Sequence, residues 1–324
     1  MRRKIILHIG SAKTGSSTIQ AFLRANRDYL SEQGYVVPDR HLGLGPQVTG
    51  EHVFATQNLI TDPDKSRTRR SFEGLRSEPE DGKIVLISAE NLSNPDVHLH
   101  FQEALAEFDA QVIIYIRRQD DLLTSSWQQW YSKISHDFHA YIIREMAKIG
   151  HWDKIIQGWE SVVGEGKVTV RIFDRTDMVE GDLLRDFAHA IGLDPKSNDP
   201  EFDISNENPS FSDIITPLVA GNQHIFAGAH DNHFYKLVQE LTGDAYVEKA
   251  KTSLLSRAQR DSIIAFYEPI NQRVCERYFP GRSRLFAPVQ HQNYQYLDDA
   301  EFTRRQLQFL THMIFKLGVR GIGK

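Results

Sequence analysis

The apolar run Ile5-Ile6-Leu7 leads directly into His-Ile-Gly-Ser-Ala-Lys-Thr-Gly-Ser-Ser-Thr-Ile-Gln, residues 8 to 20. This pattern constrains the fold more than any other in the chain. It reads as a buried strand, a tight hydroxyl-rich turn with one lysine, and the start of a helix. Such a turn aims backbone N–H groups, a helix N-terminus and an ammonium at one point, which makes it a phosphate site. It differs from the nucleotide-triphosphatase loop, where the lysine follows the second glycine as Gly-Lys-Ser/Thr. Here Lys13 precedes Gly15, and Ser16, Ser17 and Thr18 follow it. The hydroxyl that would hold magnesium beside a Gly-Lys pair is absent.

Further apolar runs extend the pattern. Ile84-Val85-Leu86-Ile87 and Val112-Ile113-Ile114-Tyr115-Ile116 are continuous, as in strands covered on both faces, and Val168 to Phe173 forms another. Tyr35-Val36-Val37-Pro38 reads as a short edge strand. Helical spacing is seen over Ser16 to Gln33, with Gly34 as the stop. It recurs over Leu122 to Ile134, and from about Asp182 to Ile191 before Gly192. The alternation predicts an α/β fold with a central, mainly parallel sheet flanked by helices, and ligands at the carboxyl ends of its strands.

From Asp194 to Phe211 the chain is rich in Asp, Asn, Pro and Ser and reads as a linker. Beyond it the pattern is helical, including Phe234 to Leu241 and Ala258 to Tyr278, with no clear strand. The expectation is one domain over residues 1–324: an α/β core over 1–193, and a mainly helical subregion over 194–324 on the acceptor side. Asp64 to Arg76 is charge-dense, which suits a solvated helix or, alternatively, a contact surface for an anionic acceptor.

Composition excludes several classes. The 324 residues are 40% hydrophobic and 25% charged, ordinary for a soluble globular protein, and a net charge of −5 gives no support for bulk nucleic-acid or membrane-surface binding. The one cysteine, Cys275, allows no internal disulfide and fits a reducing compartment. Met1-Arg2-Arg3-Lys4 imitates the start of a signal peptide, but the apolar run meets His8, Gly10 and Lys13 too soon. No stretch approaches the roughly 18 apolar residues of a membrane span. A cytoplasmic location is expected, with the oligomeric state open.

The second chemical motif follows the Val112 strand: Arg-Arg-Gln-Asp-Asp-Leu-Leu-Thr-Ser over residues 117 to 125. Arg117 at a strand end supplies a forked, permanent cation, and Ser125 near a helix start supplies a short hydroxyl contact. With the Lys13 loop on the neighbouring strand, two anion sites on one sheet edge suit a nucleotide phosphorylated at two places.

Ala12-Lys13-Thr14-Gly15-Ser16-Ser17-Thr18 resembles the 5′-phosphosulfate-binding loop of sulfotransferases that use 3′-phosphoadenosine 5′-phosphosulfate (PAPS). Arg117 to Ser125, with Asp121 between them, resembles that family's 3′-phosphate segment. The wording is most similar to bacterial members, and the likeness covers about residues 4 to 192. After that, Tyr278-Phe279-Pro280-Gly281 and Leu285-Phe286 match only loosely. Ala12 replaces the proline of the cytosolic small-molecule branch and Thr18 its tryptophan. Its Arg-Lys-Gly clamp is missing, with Val319-Arg320-Gly321 at most a remnant. These departures favour a carbohydrate-like or lipid-carried acceptor over a small aromatic one.

The resemblance implies PAPS as sulfate donor. Lys13 would meet charge on the leaving phosphate, and the N–H groups of Thr14 to Thr18 with the Ser16 and Ser17 hydroxyls would hold the 5′-phosphate. No metal is required if lysine and helix dipole supply the charge. Two residues compete as base for the acceptor proton: Glu90, in Ser88-Ala89-Glu90-Asn91 after the Ile84 strand, and His52, in Gly50-Glu51-His52-Val53. His224, His230 and His233 lack metal-ligand spacing, and Trp127 and Trp130 fall on an apolar helix face. An ATP-dependent, kinase-like phosphotransferase and a non-catalytic nucleotide-binding scaffold are the alternatives.

Overall fold

The computed structural model describes residues 2–44, 50–63, 66–77, 82–193, 200–204, 212–246 and 251–322. The chain forms two compact units. The first comprises Met1–Arg117, His151–Glu207 and Ile270–Leu285; the second comprises Arg118–Gly150, Asn208–Pro269 and Phe286–Lys324.

The first unit is built on five parallel strands: β1 (Arg3–His8), β2 (Tyr35–Val36), β3 (Ile84–Ser88), β4 (Phe108–Ile116) and β5 (Val168–Ile172), in the order β2-β3-β1-β4-β5. The continuous apolar runs are the sheet's centre: Ile5, Val85, Val112, Ile114, Tyr115 and Ile116 are wholly buried. Tyr35–Val36 takes the edge, as its short, proline-limited sequence requires. Register places His8 beside Ser88 on one side and Ile113 on the other. β4 therefore runs three residues beyond the end of β1. It also begins earlier than its apolar run, because Phe108 and Ala110 are buried as well.

Chain direction turns at the middle of this sheet. β1 leads toward β2 and β3 on one side, whereas β4 and β5 lie on the other. The crevice outside the carboxyl ends of β1 and β4 is thus the topological switch point, where open α/β sheets bind ligands.

The single helix expected over Ser16–Gln33 is two, α1 (Ser16–Ala25) and a short helix over Arg27–Glu32. Asn26 breaks it. Its Nδ2 donates to the Phe22 carbonyl at 3.1 Å and the Glu201 carbonyl at 3.0 Å, and its Oδ1 accepts from the Glu201 N–H at 2.6 Å. Gly34, at φ +83°, then ends the turn. The helix Leu183–Ala190 is capped as its sequence indicates, with the Asp182 carboxylate accepting from the N–H groups of Leu184 and Arg185. Ile6, Ile19, Phe22, Leu86, Ile113 and Phe187 join in one core, each side chain worth roughly 1.5–3 kcal/mol of burial.

In the second unit, the helix expected over Leu122–Ile134 spans Gln119–Gln129 and gives way to a 3₁₀ turn over Tyr131–Lys133. Trp127 is buried against Phe138 and Tyr141, while Trp130 is half-buried. Helices His233–Thr242 and Asp299–Ile322 pack through Tyr235, Val238, Phe309 and Met313. Helix Arg257–Tyr278 contains Pro269. The expectation of no strand here is corrected: β6 (Lys251–Thr252) pairs in parallel with β7 (Tyr294–Gln295). Two-residue strands leave no alternation to read. Of the linker expected over Asp194–Phe211, only residues 200–204 are among those described.

Candidate active site

The phosphate loop connects β1 to α1. Gly15 sits at φ +79°, left-handed, and a Cβ there would come within 2.2 Å of Leu183 Cδ2 and 3.0 Å of Phe173 Cε2. Glycine is required on both counts. Thr14, fully buried, ties the turn by donating its Oγ1–H and its N–H to the Ser11 carbonyl, at 2.5 and 3.3 Å. The Thr18 and Ile19 N–H groups both donate to the Gly15 carbonyl, at 3.0 and 3.1 Å. This refines the expectation for Thr14 to Thr18. The outer two amides are spent inside the turn, which leaves the N–H groups of Gly15, Ser16 and Ser17 at the helix start. Ser16 is buried, with Oγ 3.2 Å from the Ser11 carbonyl oxygen, whereas Ser17 is exposed.

Lys13 occupies φ +63°, a region that costs a non-glycine residue about 1 kcal/mol or more. Arg117, just past the end of β4, braces it: Nη1 donates to the Lys13 carbonyl at 2.8 Å, and the guanidinium lies 5.7 Å from the Phe173 ring centroid. Burial, and then the Arg117 charge, push the Lys13 ammonium down to about 8, against the opposing pull of Glu90. Lys13, Arg117 and Glu90 therefore share one electrostatic site at the ends of β1, β4 and β3. Glu90 opens the 3₁₀ turn Glu90–Ser93 and is half-buried, and its carbonyl accepts from Ser93 Oγ at 2.8 Å.

His52 is placed differently. It is wholly buried; its Nδ1 accepts from the Ser88 N–H at 3.1 Å and its Nε2 lies 3.0 Å from the Pro38 carbonyl oxygen. Burial lowers its pKa despite those bonds. With both nitrogens committed, no lone pair remains for an acceptor's proton. These bonds tie the histidine to the end of β3 and to Pro38.

Ser125 lies half-buried on the helix Gln119–Gln129, in the second unit, whereas Arg117 belongs to the first. Arg118 is drawn into a network of that second unit. Its Nε donates to Asp120 at 2.6 Å, and its Nη2 to Asp121 at 2.9 Å and to Tyr294 Oη at 3.0 Å. Arg260 pairs with Asp120 and, at 3.1 Å, with Asp121.

Sequence reasoning did not single out His8 and Ser88, the paired last residues of β1 and β3, whose Nδ1 and Oγ are 2.8 Å apart. A histidine closing a buried apolar strand was the available signal. Among the described residues, no group of three His, Cys, Asp or Glu is disposed to hold a metal, and no helix is long and apolar enough to cross a membrane.

No family model matches the chain. An uncharacterized protein of Archaeoglobus fulgidus is 27% identical over 238 residues, 71% of this chain and 61% of that protein, so the chain spans about three-fifths of that relative's length. Structural neighbours include sulfotransferases. A sulfotransferase from Alicyclobacillus acidocaldarius is 18% identical with a TM-score of 0.40, over 64% of this chain and 87% of its own. Mouse sulfotransferase SULT7A1, complexed with PAP, is 11% identical with a TM-score of 0.41, over 84% and 86%. The sulfotransferase domain of the curacin biosynthetic pathway is 11% identical with a TM-score of 0.39, over 82% and 97%. At these scores the likeness is one of general layout, and the functional reading rests on the site's own residues.

Proposed function

We propose that this chain is a sulfotransferase that moves a sulfuryl group from PAPS to a hydroxyl, or an amine, of a glycan, lipid or small metabolite. The observation that carries this reading is the placement of Lys13. Its ammonium stands beside a second cation, Arg117, and a carboxylate, Glu90, at the switch point of a parallel sheet. Two neighbouring cations raise each other's energy, and an anionic guest relieves the cost.

In the proposed reaction the acceptor oxygen attacks sulfur, an S–O bond forms, and the S–O bond to the 5′-phosphate breaks in line. The electron pair leaves on the phosphate oxygen, where Lys13 and the free amides of Gly15, Ser16 and Ser17 balance the growing charge. The acceptor proton passes to the Glu90 carboxylate. Arg117 is assigned to the 3′-phosphate, with its bond to the Lys13 carbonyl coupling the two phosphate sites. Nothing in this chemistry calls on a metal.

Calorimetry with adenosine 3′,5′-bisphosphate against ATP separates this reading from a kinase-like one, and transfer of labelled sulfate to glycan and lipid acceptors separates it from a non-catalytic scaffold. Tighter binding of ATP than of the bisphosphate would overturn it. Glu90→Gln keeps size and hydrogen-bonding capacity while removing basicity. It should abolish transfer and leave bisphosphate affinity within about twofold. His52→Gln should keep transfer once the folded fraction is matched.

A further inference from the structure

His8 is the last residue of β1 and is 2% exposed, yet its Nε2 has no hydrogen-bond partner among the described residues. An unsatisfied buried polar atom is rare enough to require an explanation. The ring's other nitrogen lies 2.8 Å from Ser88 Oγ. That hydroxyl has no other acceptor among the described residues, so it donates to Nδ1 and the ring hydrogen is on Nε2. The ring is fixed from its sides as well, edge-on to Phe187 at 5.4 Å and Tyr115 at 5.9 Å.

Gly10 reveals where Nε2 is aimed. A Cβ built on Gly10 would lie 2.9 Å from His8 Nε2 and 2.5 Å from Ser16 Oγ. Both atoms therefore approach the same side of Gly10 more closely than any other residue there would allow. Among the described residues, Ser16 Oγ is held only by the Ser11 carbonyl, at 3.2 Å, a long contact for a hydroxyl donor. A donor without an acceptor thus adjoins a hydroxyl that is weakly held, at the first residue of α1.

We propose that His8 is a positioning residue of the phosphate loop: when the loop holds an anion, Nε2–H donates to Ser16 Oγ, and the Ser16 hydroxyl hydrogen turns from the Ser11 carbonyl to a phosphate oxygen. The proposal rests on reading this loop as a phosphate site. His8 acts through Ser16 and exchanges no proton with the substrate. Gly10 is then the residue that keeps the relay open.

The test is a double-mutant cycle read by calorimetry, with adenosine 3′,5′-bisphosphate and inorganic phosphate as probes. His8→Phe and Ser16→Ala should each weaken bisphosphate binding by about tenfold, and the double variant should be no weaker than either alone. His8→Gln, which restores an amide donor, should recover most of the loss. Losses that multiply in the double variant, or wild-type affinity in His8→Phe, would overturn the proposal. Should His8→Phe fail to fold by circular dichroism, Gly10→Ala forces the same two atoms apart with His8 intact. It must then weaken binding comparably, and wild-type affinity there overturns the proposal too. If wild-type protein ignores the bisphosphate but binds phosphate with the same coupling between His8 and Ser16, the sulfotransferase reading fails and this one stands.

Discussion

Charge is used in opposite ways in the two units. In the second, Arg118 and Arg260 face Asp120 and Asp121, two cations against two anions, with the Arg260 guanidinium 3.8 Å from the Tyr294 ring centroid. The set closes on itself, and Asp120 and Arg260 are almost entirely shielded from water. In the first, Lys13 and Arg117 face Glu90, and burial, then the repulsion between the cations, lowers the lysine's proton affinity. A balanced network has no use for a further ion. On the proposed reading an anionic ligand completes the imbalanced one, which lies where the winding order of the sheet reverses. The difference teaches that it is the residual charge, more than the count of ion pairs, that separates a binding site from a structural clasp.

The sharpest attack on this contrast removes a member of the closed set. Asp120→Ala leaves Arg118 and Arg260 to share Asp121 as their one carboxylate among the described residues, an uncompensated buried charge that should cost about 3–5 kcal/mol of stability. Urea unfolding followed by tryptophan fluorescence measures it, and an unchanged midpoint would deny the network its structural role. Lys13→Ala should do the reverse. Turnover should fall about a hundredfold or more while the unfolding midpoint holds, with a smaller loss in bisphosphate affinity. Near-normal turnover would remove Lys13 from the mechanism.

Arg117→Ala should lower the preference for adenosine 3′,5′-bisphosphate over 5′-AMP, since a charge-assisted contact is worth roughly 1.5–3 kcal/mol. It should also loosen the Lys13 turn, so both affinities fall, the bisphosphate's by more. An unchanged ratio refutes the 3′-phosphate assignment, and Ser125→Ala, read the same way, tests the sequence expectation for that serine. The smallest effect is graded by pH. With the Lys13 ammonium pushed down to about 8, kcat/KM should decline above pH 8, approaching tenfold per unit, and Lys13→Arg should flatten that limb. The sign for folding follows: between about 8 and the ordinary 10.5 the unfolded chain binds more protons at this lysine, so its share of stability rises with pH.

The sheet was legible because buried parallel strands are continuous apolar runs, and the loop because Gly15 and its hydroxyl neighbours are local chemistry. The position of Glu90, second residue after β3, was legible from the strand's apolar run. What could not be read depends on distant partners. Asn26 breaks a helix by bonding to Glu201, far along the chain, and Asp120 meets Arg260 across 140 residues. The burial of His52 was not legible, because periodicity says nothing of Pro38 and Ser88 closing over its ring. Likewise, the helix beginning at Gln119 has its first turn stocked with Asp120 and Asp121, acidic residues suited to a helix start that the apolar count passed over.

Two histidines hold Ser88, one through its backbone and one through its hydroxyl, and burial keeps both rings uncharged, His8 with a pKa down at about 3. Imidazoles that stay neutral make a clasp indifferent to acidity across the physiological range. The scaffold around the site can therefore keep its shape through the range in which the Lys13 ammonium gives up its proton. An engineer who wished to retune the working range would change the neighbours of that one ammonium and leave the frame untouched.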